Sequence, residues 1–272
     1  MHLSALHIYP VKSCSGLAVA SAAIDDLGLA GDRRFLVVDE AGRFLTQRTF
    51  PRMALIETAL TADTLTLSAA GGGAVDVPRA ADPEAPLRTV SIWKSEGLLA
   101  EDCGDAPAAW LARWLGAPCR LVRIGEKFRR PVLKKAARPD DVFAFADGSP
   151  VLVISEASLD ELNGRLAAQG EPPLPMNRFR PNVVIAGCDA FAEDQWKRLR
   201  IGDVRLLAAG KSDRCIITTT DQATAQRGKE PLRTLATYRR DPVDSTSVYF
   251  GANFIQDTKR GTLHVGAAVE AE

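Results

Sequence analysis

Short apolar runs broken by turn-forming residues dominate the first hundred positions. Residues 3–9 form one such run. Residues 34–39 form another and meet Glu40-Ala41-Gly42-Arg43, where glycine lets the backbone reverse. Residues 44–46 are expected to return as its hairpin partner. Residues 65–68 and 74–77 flank Gly71-Gly72-Gly73, which predicts a second hairpin. The weakly apolar stretch 17–24 lies between Pro10 and Asp25-Asp26 and reads as a strand rather than a signal peptide. Helical spacing is rarer. Residues 105–115 place Trp110, Leu111 and Trp114 on one face, with Asp105 as the expected N-cap and Gly116 as the stop. Ser158-Leu159-Asp160-Glu161 has capping-box spacing, Leu162 and Leu166 continue at helical intervals, and Gly170 ends the pattern. Pro231 predicts a short helix running to about Arg239.

The second half has its own strand rhythm. Residues 151–154, 183–185, 199–201, 204–207, 251–255 and 262–265 read as strands, and Gly202-Asp203 joins the third to the fourth. Pro172-Pro173-Leu174-Pro175 is a stiff loop. The few helices do not alternate regularly with strands. The predicted fold class is therefore mainly β with accessory helices (α+β), built from β-barrel-like halves. Residues 127–141 turn from basic to acidic through Pro131 and Pro139, so they predict a linker or exposed loop. That divides the chain into domains of residues 1–125 and 126–272.

Charge and cysteine content narrow the setting. Lys and Arg number 34, and so do Asp and Glu, so nothing global points to nucleic acid or a membrane surface. No apolar run approaches the length of a membrane span. The five cysteines form no C-x-x-C pair, which fits reduced thiols and leads to the expectation of a cytoplasmic protein.

Several familiar sites are absent: no P-loop, no G-x-G-x-x-G and no G-x-S-x-G. The three histidines, His2, His7 and His264, lie near the termini, which disfavours a histidine metal site or a Ser-His-Asp triad. What remains gathers at strand ends. Lys12 and Ser13 follow one strand and Arg33 precedes another. Asp147, Gly148 and Ser149 precede the strand from residue 151, and Arg178, Arg180 and Asn182 precede the one from residue 183. Each alone reads as a loop charge or turn former; together they suit a phosphate-bearing ligand. Cys215 lies in Lys211-Ser212-Asp213-Arg214-Cys215-Ile216-Ile217-Thr218-Thr219-Thr220, read as a polar turn entering a β-branched strand. Arg214 beside it would favour the thiolate, which suits a soft metal; on this segment alone a small buried core residue is the commoner role of a free cysteine. The run Lys127, Arg129, Arg130, Lys134, Lys135 is either a dock for an acidic electron-transfer partner or a solvated loop.

Ordered motifs along the whole chain resemble the MOSC family, in the branch with an N-terminal MOSC β-barrel domain that includes the amidoxime-reducing components. They include Tyr9-Pro10-Val11-Lys12-Ser13, Asp32-Arg33, Thr46-Gln47-Arg48, Phe145-Ala146-Asp147-Gly148-Ser149-Pro150, Phe179-Arg180-Pro181-Asn182, Arg214-Cys215-Ile216-Ile217-Thr218-Thr219 and Phe250-Gly251-Ala252-Asn253. The resemblance implies an N-terminal MOSC β-barrel domain over 1–125, a MOSC domain over 126–272 and a molybdenum cofactor, a pterin dithiolene carrying a phosphate. Pyridoxal phosphate is not expected. Cys215 matches the metal-ligating cysteine. Lys12, Ser13, Arg33, Gly148, Ser149, Arg180, Asn182, Ser212, Asp213, Arg214 and Asn253 fall at or beside cofactor-holding positions. Asp147 matches an acidic residue near the metal, a candidate proton donor or substrate contact. Asp213 departs from the family pattern, standing where a small hydroxyl residue is usual. The implied activity is reduction of N-hydroxylated compounds such as amidoximes, hydroxylamines and N-oxides. Electrons would come from a separate iron–sulfur, flavin or haem protein, because the chain ends without the iron–sulfur domain of some bacterial relatives. The alternative is a cofactor carrier or sulfurtransferase with Cys215 as persulfide carrier.

Overall fold

All five residues of Val151–Ser155 are buried, and so are three of four in Val183–Ala186, as expected of strands covered on both faces. In the computed structural model, which describes residues 1–272, these strands lie side by side and parallel at the centre of an eight-stranded sheet. Across that sheet the order is Val269–Ala271, Arg198–Ile201, Val204–Asp213, Tyr249–Gln256, Val151–Ser155, Val183–Ala186, His2–Ile8 and Leu17–Val19. The first strand of the chain is thus built into a sheet of C-terminal strands, with Leu6 opposite Val183. A single bridge between His2 and Ala268 brings the first strand against the last, so the sheet curls into a half-closed barrel rather than a full cylinder. Leu3, Leu6, Val153, Ile185, Leu206 and Phe254 fill its interior.

Three smaller sheets complete a mainly β architecture with only three α-helices, Asp105–Leu115, Glu156–Ala168 and Leu232–Leu235. The glycine hairpin forms between Thr64–Ala69 and Gly73–Pro78, and Trp110 and Leu111 pack into the core that the hairpin covers. No helix is long and apolar enough to cross a membrane.

Local expectations fail where hydrogen bonding is decided elsewhere. Residues 44–46 form only one bridge, Phe44 to Val38, because Thr46 starts a turn; Phe35–Val38 pairs instead with Arg120–Arg123. Gly104 occupies the N-cap of the first long helix, and Asp105, one position later, pairs with Arg120. The second helix is capped by Ser155, whose hydroxyl accepts from the Ser158 N–H, so it starts before the expected box. The stretch 17–24 splits at Ala20 into strands of two different sheets. The helix after Pro231 ends at Leu235. Residues 127–141 are a loop, but Phe128, Arg130 and Val132 are buried in it.

Candidate functional site

The strand ends singled out by sequence converge on one cavity of about 550 Å³. Its lining includes every expected site residue: Lys12, Ser13, Arg33, Asp147, Gly148, Ser149, Arg180, Asn182, Ser212, Asp213, Arg214, Cys215 and Asn253. Lys12 and Ser13 come from the end of His2–Ile8, Arg33 from the approach to Phe35–Val38, and Ser212 and Asp213 from the end of Val204–Asp213.

Cys215 does not enter a strand. Residues Ile216–Thr219 form a 3₁₀ turn, because the Thr218 and Thr219 hydroxyls donate back to the Cys215 and Ile216 carbonyls at 2.9 and 2.8 Å. The turn leaves the thiol half-buried, facing the cavity. The cation that touches it is Arg48, not Arg214: Arg48 Nη2 lies 2.9 Å from Sγ. Arg214 donates to the Ser212 hydroxyl at 2.9 Å and the Phe179 carbonyl at 2.7 Å, which braces the segment carrying the thiol.

Asp147 stands at the other side. Its Oδ1 accepts from Lys12 Nζ at 2.6 Å and from the Trp93 indole N–H at 2.9 Å. Desolvation in the cavity is the largest influence on this carboxyl and acts to raise its pKa; Lys12, Trp93 and Arg48 together outweigh it and hold Asp147 well below the usual carboxylate range. Burial pushes Lys12 down to about 8 against the pull of Asp147. Asp147 is therefore ionised and has no proton to give, and in this pair the proton resides on Lys12 Nζ. Trp93 also stacks on Arg48, with the guanidinium 4.3 Å from the ring centre. A continuous set of contacts therefore links Lys12, Asp147, Trp93, Arg48 and Cys215.

The cavity wall is strained and short of hydrogen-bond partners. Six non-glycine residues adopt positive φ, and four of them line the cavity: Ser13 (68°), Arg33 (46°), Trp93 (53°) and Arg180 (56°). Such conformations cost about 1–3 kcal/mol each and cluster where function needs them. Arg48 Nη1, Arg180 Nη2, Arg214 Nε and the Ser149 hydroxyl are buried without a partner. Arg33 and Arg180 stack on Tyr9 at 4.5 and 4.2 Å. Arg33 has a carboxylate in Asp32, whereas Arg48, Arg180 and Arg214 have none.

Three expected residues are committed to the scaffold. The Asn182 carbonyl oxygen accepts from Arg33 and the Leu152 N–H, and its amide nitrogen donates to the His7 carbonyl. Asp213 accepts from the Val248 N–H at 3.0 Å, and Asn253 donates to the Lys211 carbonyl. Sequence reading missed Arg48, Trp93 and Lys134 as cavity residues. Arg48 sits in a quoted motif, but nothing local tells that it meets a thiol 167 positions away. Arg130, placed in a basic run read as a partner dock or a solvated loop, is 2% exposed and donates to the Ala144 and Ala146 carbonyls, holding the segment before Asp147.

The donor set fits a phosphate-bearing pterin with its own metal. No three His, Cys, Asp or Glu side chains converge into a metal cage, so one thiol is what the chain offers a metal that brings further ligands. Unpartnered guanidinium and hydroxyl donors suit an anion.

Residues 1–118 match the family model described as the MOSC N-terminal beta barrel domain, and residues 140–270 match the MOSC domain. The chain is 41% identical to mitochondrial amidoxime-reducing component 1 of Homo sapiens, over 97% of this chain and 81% of that protein. It is 35% identical to mitochondrial amidoxime reducing component 2 of Rattus norvegicus, over 98% and 82% respectively. It is 34% identical to a molybdenum cofactor sulfurase of Danio rerio, over 96% of this chain but 33% of that protein. The names of the first two overturn the cytoplasmic expectation, which rested on unpaired cysteines. Reduced thiols do not distinguish one reducing compartment from another.

Proposed function

Because the chain belongs to the MOSC family, with an N-terminal MOSC β-barrel domain ahead of a MOSC domain, we propose that it holds a molybdenum cofactor in this cavity and reduces N-hydroxylated compounds. The observation that carries the reading is the ring of unpartnered buried donors on Arg48, Arg180, Arg214 and Ser149 around a single accessible thiol. When bound, the cofactor would supply the two-electron redox chemistry that N–O reduction needs. In balance, an amidoxime with two electrons and two protons gives an amidine and water. The electrons come from a separate redox protein.

The chain's own contributions follow from the geometry. Cys215 would be the metal's ligand, and the Arg48 guanidinium holds its sulfur in place at 2.9 Å. Arg180, Arg214, Lys12 and Ser149 take the anionic part of the cofactor, while Ser13, Gly148 and Ser212 shape the wall. Asn182 positions Arg33. Asp147, ionised, accepts a hydrogen bond from the substrate N–OH and orients it, and Lys12 Nζ stores a proton behind it. Residues 1–125 supply Lys12, Ser13, Arg33, Arg48 and Trp93 and residues 126–272 the rest, so the two halves work as one unit.

The test is molybdenum and pterin content of protein from a cofactor-competent host, wild type beside Cys215→Ala, followed by benzamidoxime reduction with an artificial donor. Near-stoichiometric molybdenum in the wild type, lost with turnover in the variant, is expected. Retained turnover in Cys215→Ala removes the ligand role. A loaded protein that turns over no N-oxygenated substrate moves the carrier reading ahead.

A further inference from the structure

A second, smaller hollow of about 140 Å³ opens beside the main cavity. The two share Trp93, Lys134, Asp147 and Gly148, so they meet at the one carboxylate assigned to the substrate. The annex differs in character. Trp93, Leu133 and Phe143 form its apolar wall, and Lys94, Arg130 and Lys134 are its cations.

Two features of that wall call for a ligand. Leu133 is 68% exposed and Trp93 45% exposed, an unusual pair of large apolar groups to leave in water along one hollow. Trp93 is nonetheless rigid: Arg48 covers one face, Phe44 packs edge-on with centroids 4.9 Å apart, the indole N–H is tied to Asp147, and the backbone is in the left-handed region. A fixed aromatic surface, left open at the cost of backbone strain, is a preorganised contact for an apolar group.

We infer that the annex is a specificity subsite that receives the apolar body of a neutral N-hydroxylated substrate, with the N–OH end at Asp147. This rests on the proposed reductase reading. The cations also give the subsite a direction. A neutral amidoxime enters freely, whereas its product, a basic amidine, is protonated in water. Lys94, Arg130 and Lys134 then disfavour its return, since Asp147 is already paired with Lys12.

The test is calorimetric binding to the purified protein without any electron donor, so that no turnover occurs. Benzamidoxime and acetamidoxime share the reacting group and differ in the body. Benzamidoxime is expected to bind about tenfold more tightly, roughly 1.4 kcal/mol. Leu133→Ser removes an exposed side chain with no structural partner and should shrink that preference at least about threefold, leaving acetamidoxime affinity and molybdenum content where they were. Equal affinity for the two ligands, or a preference untouched by Leu133→Ser, overturns the subsite. Molybdenum content, measured on the same samples, separates the two readings. A loaded protein without aryl preference loses the subsite and keeps the cofactor. A protein without molybdenum that still prefers the aryl ligand keeps the subsite and loses the cofactor reading.

Discussion

Arg123 and Arg180 are both guanidinium groups withdrawn from solvent, and the protein treats them in opposite ways. Arg123 donates to Glu101 at 2.8 Å with both side chains almost fully buried, and to the Pro78 carbonyl. The same Glu101 oxygen also accepts from the Asp82 N–H at 2.8 Å. Gly125 passes so close that a Cβ there would lie 1.8 Å from Glu101 Oε1. That site is closed: the cation has its carboxylate within the chain, and no space is left beside the pair. Arg180 stacks on Tyr9, reaches Gln222 Oε1 at 3.4 Å, and keeps Nη2 buried with no acceptor and no carboxylate. Desolvation lowers its pKa, the mark of a charge held at a cost. A buried cation matched inside the chain is scaffold; one left unmatched beside a cavity is set for an anion from outside.

The sharpest way to break the comparison is to open the closed site. Glu101→Leu leaves Arg123 buried without its partner and should cost about 3–5 kcal/mol. Urea denaturation would read this as a lower midpoint at an unchanged slope. A loss under about 1 kcal/mol would mean that Arg123 escapes to water and that the site is not closed at all.

The matching change in the open site should act on binding rather than folding. Arg180→Met keeps the bulk beside Tyr9 and removes a charge without a carboxylate. Stability of the cofactor-free protein should stay within about 1 kcal/mol of wild type or rise, because an unmatched buried charge contributes little to folding. Cofactor retention through gel filtration should fall at least about tenfold, the scale of one charge-assisted hydrogen-bond pair. An Arg180→Met protein that unfolds as readily as Glu101→Leu would place Arg180 in the scaffold and end the distinction.

The same contrast explains what was legible in the sequence. The hairpin across Gly71-Gly72-Gly73 was readable because its strands are neighbours in the chain and alternate burial along Thr64–Ala69. Strand ends with Lys12, Arg33, Ser149, Arg180 and Cys215 were readable as chemistry because polar side chains interrupt apolar runs there. Their partners were not. Arg48 meets Cys215, and Trp93 meets Asp147, across separations of 167 and 54 residues, and no local pattern encodes such a contact. The Ile216-Ile217-Thr218-Thr219 run misled for a different reason: β-branched composition favours a strand, but threonine hydroxyls can satisfy carbonyls three residues back and close a turn instead. Phe35–Val38 was found as a strand while its partner, Arg120–Arg123, was not, since pairing over such a distance is decided by tertiary packing.

Lys12 offers the finest test, because it belongs to both classes at once. It is 4% exposed and paired with Asp147, like a closed site, yet it lines the cavity, like an open one. Burial brings its pKa from 10.5 down to about 8. Between about pH 8 and 10.5 the unfolded chain therefore binds more protons at this position than the folded chain, so this group's contribution to stability rises with pH across that window. Its contribution to holding an anion runs the other way, since the ammonium is lost as pH rises through about 8. Cofactor retention should thus fall above about pH 8 in the wild type. In Lys12→Met it should be lower throughout and flat over the same range, while Arg123 and Glu101 impose no such step. Retention that is level from about pH 7 to 10 in the wild type would mean that the Lys12 charge is answered fully by Asp147 and contributes nothing to the ligand, which would move Lys12 to the side of Arg123.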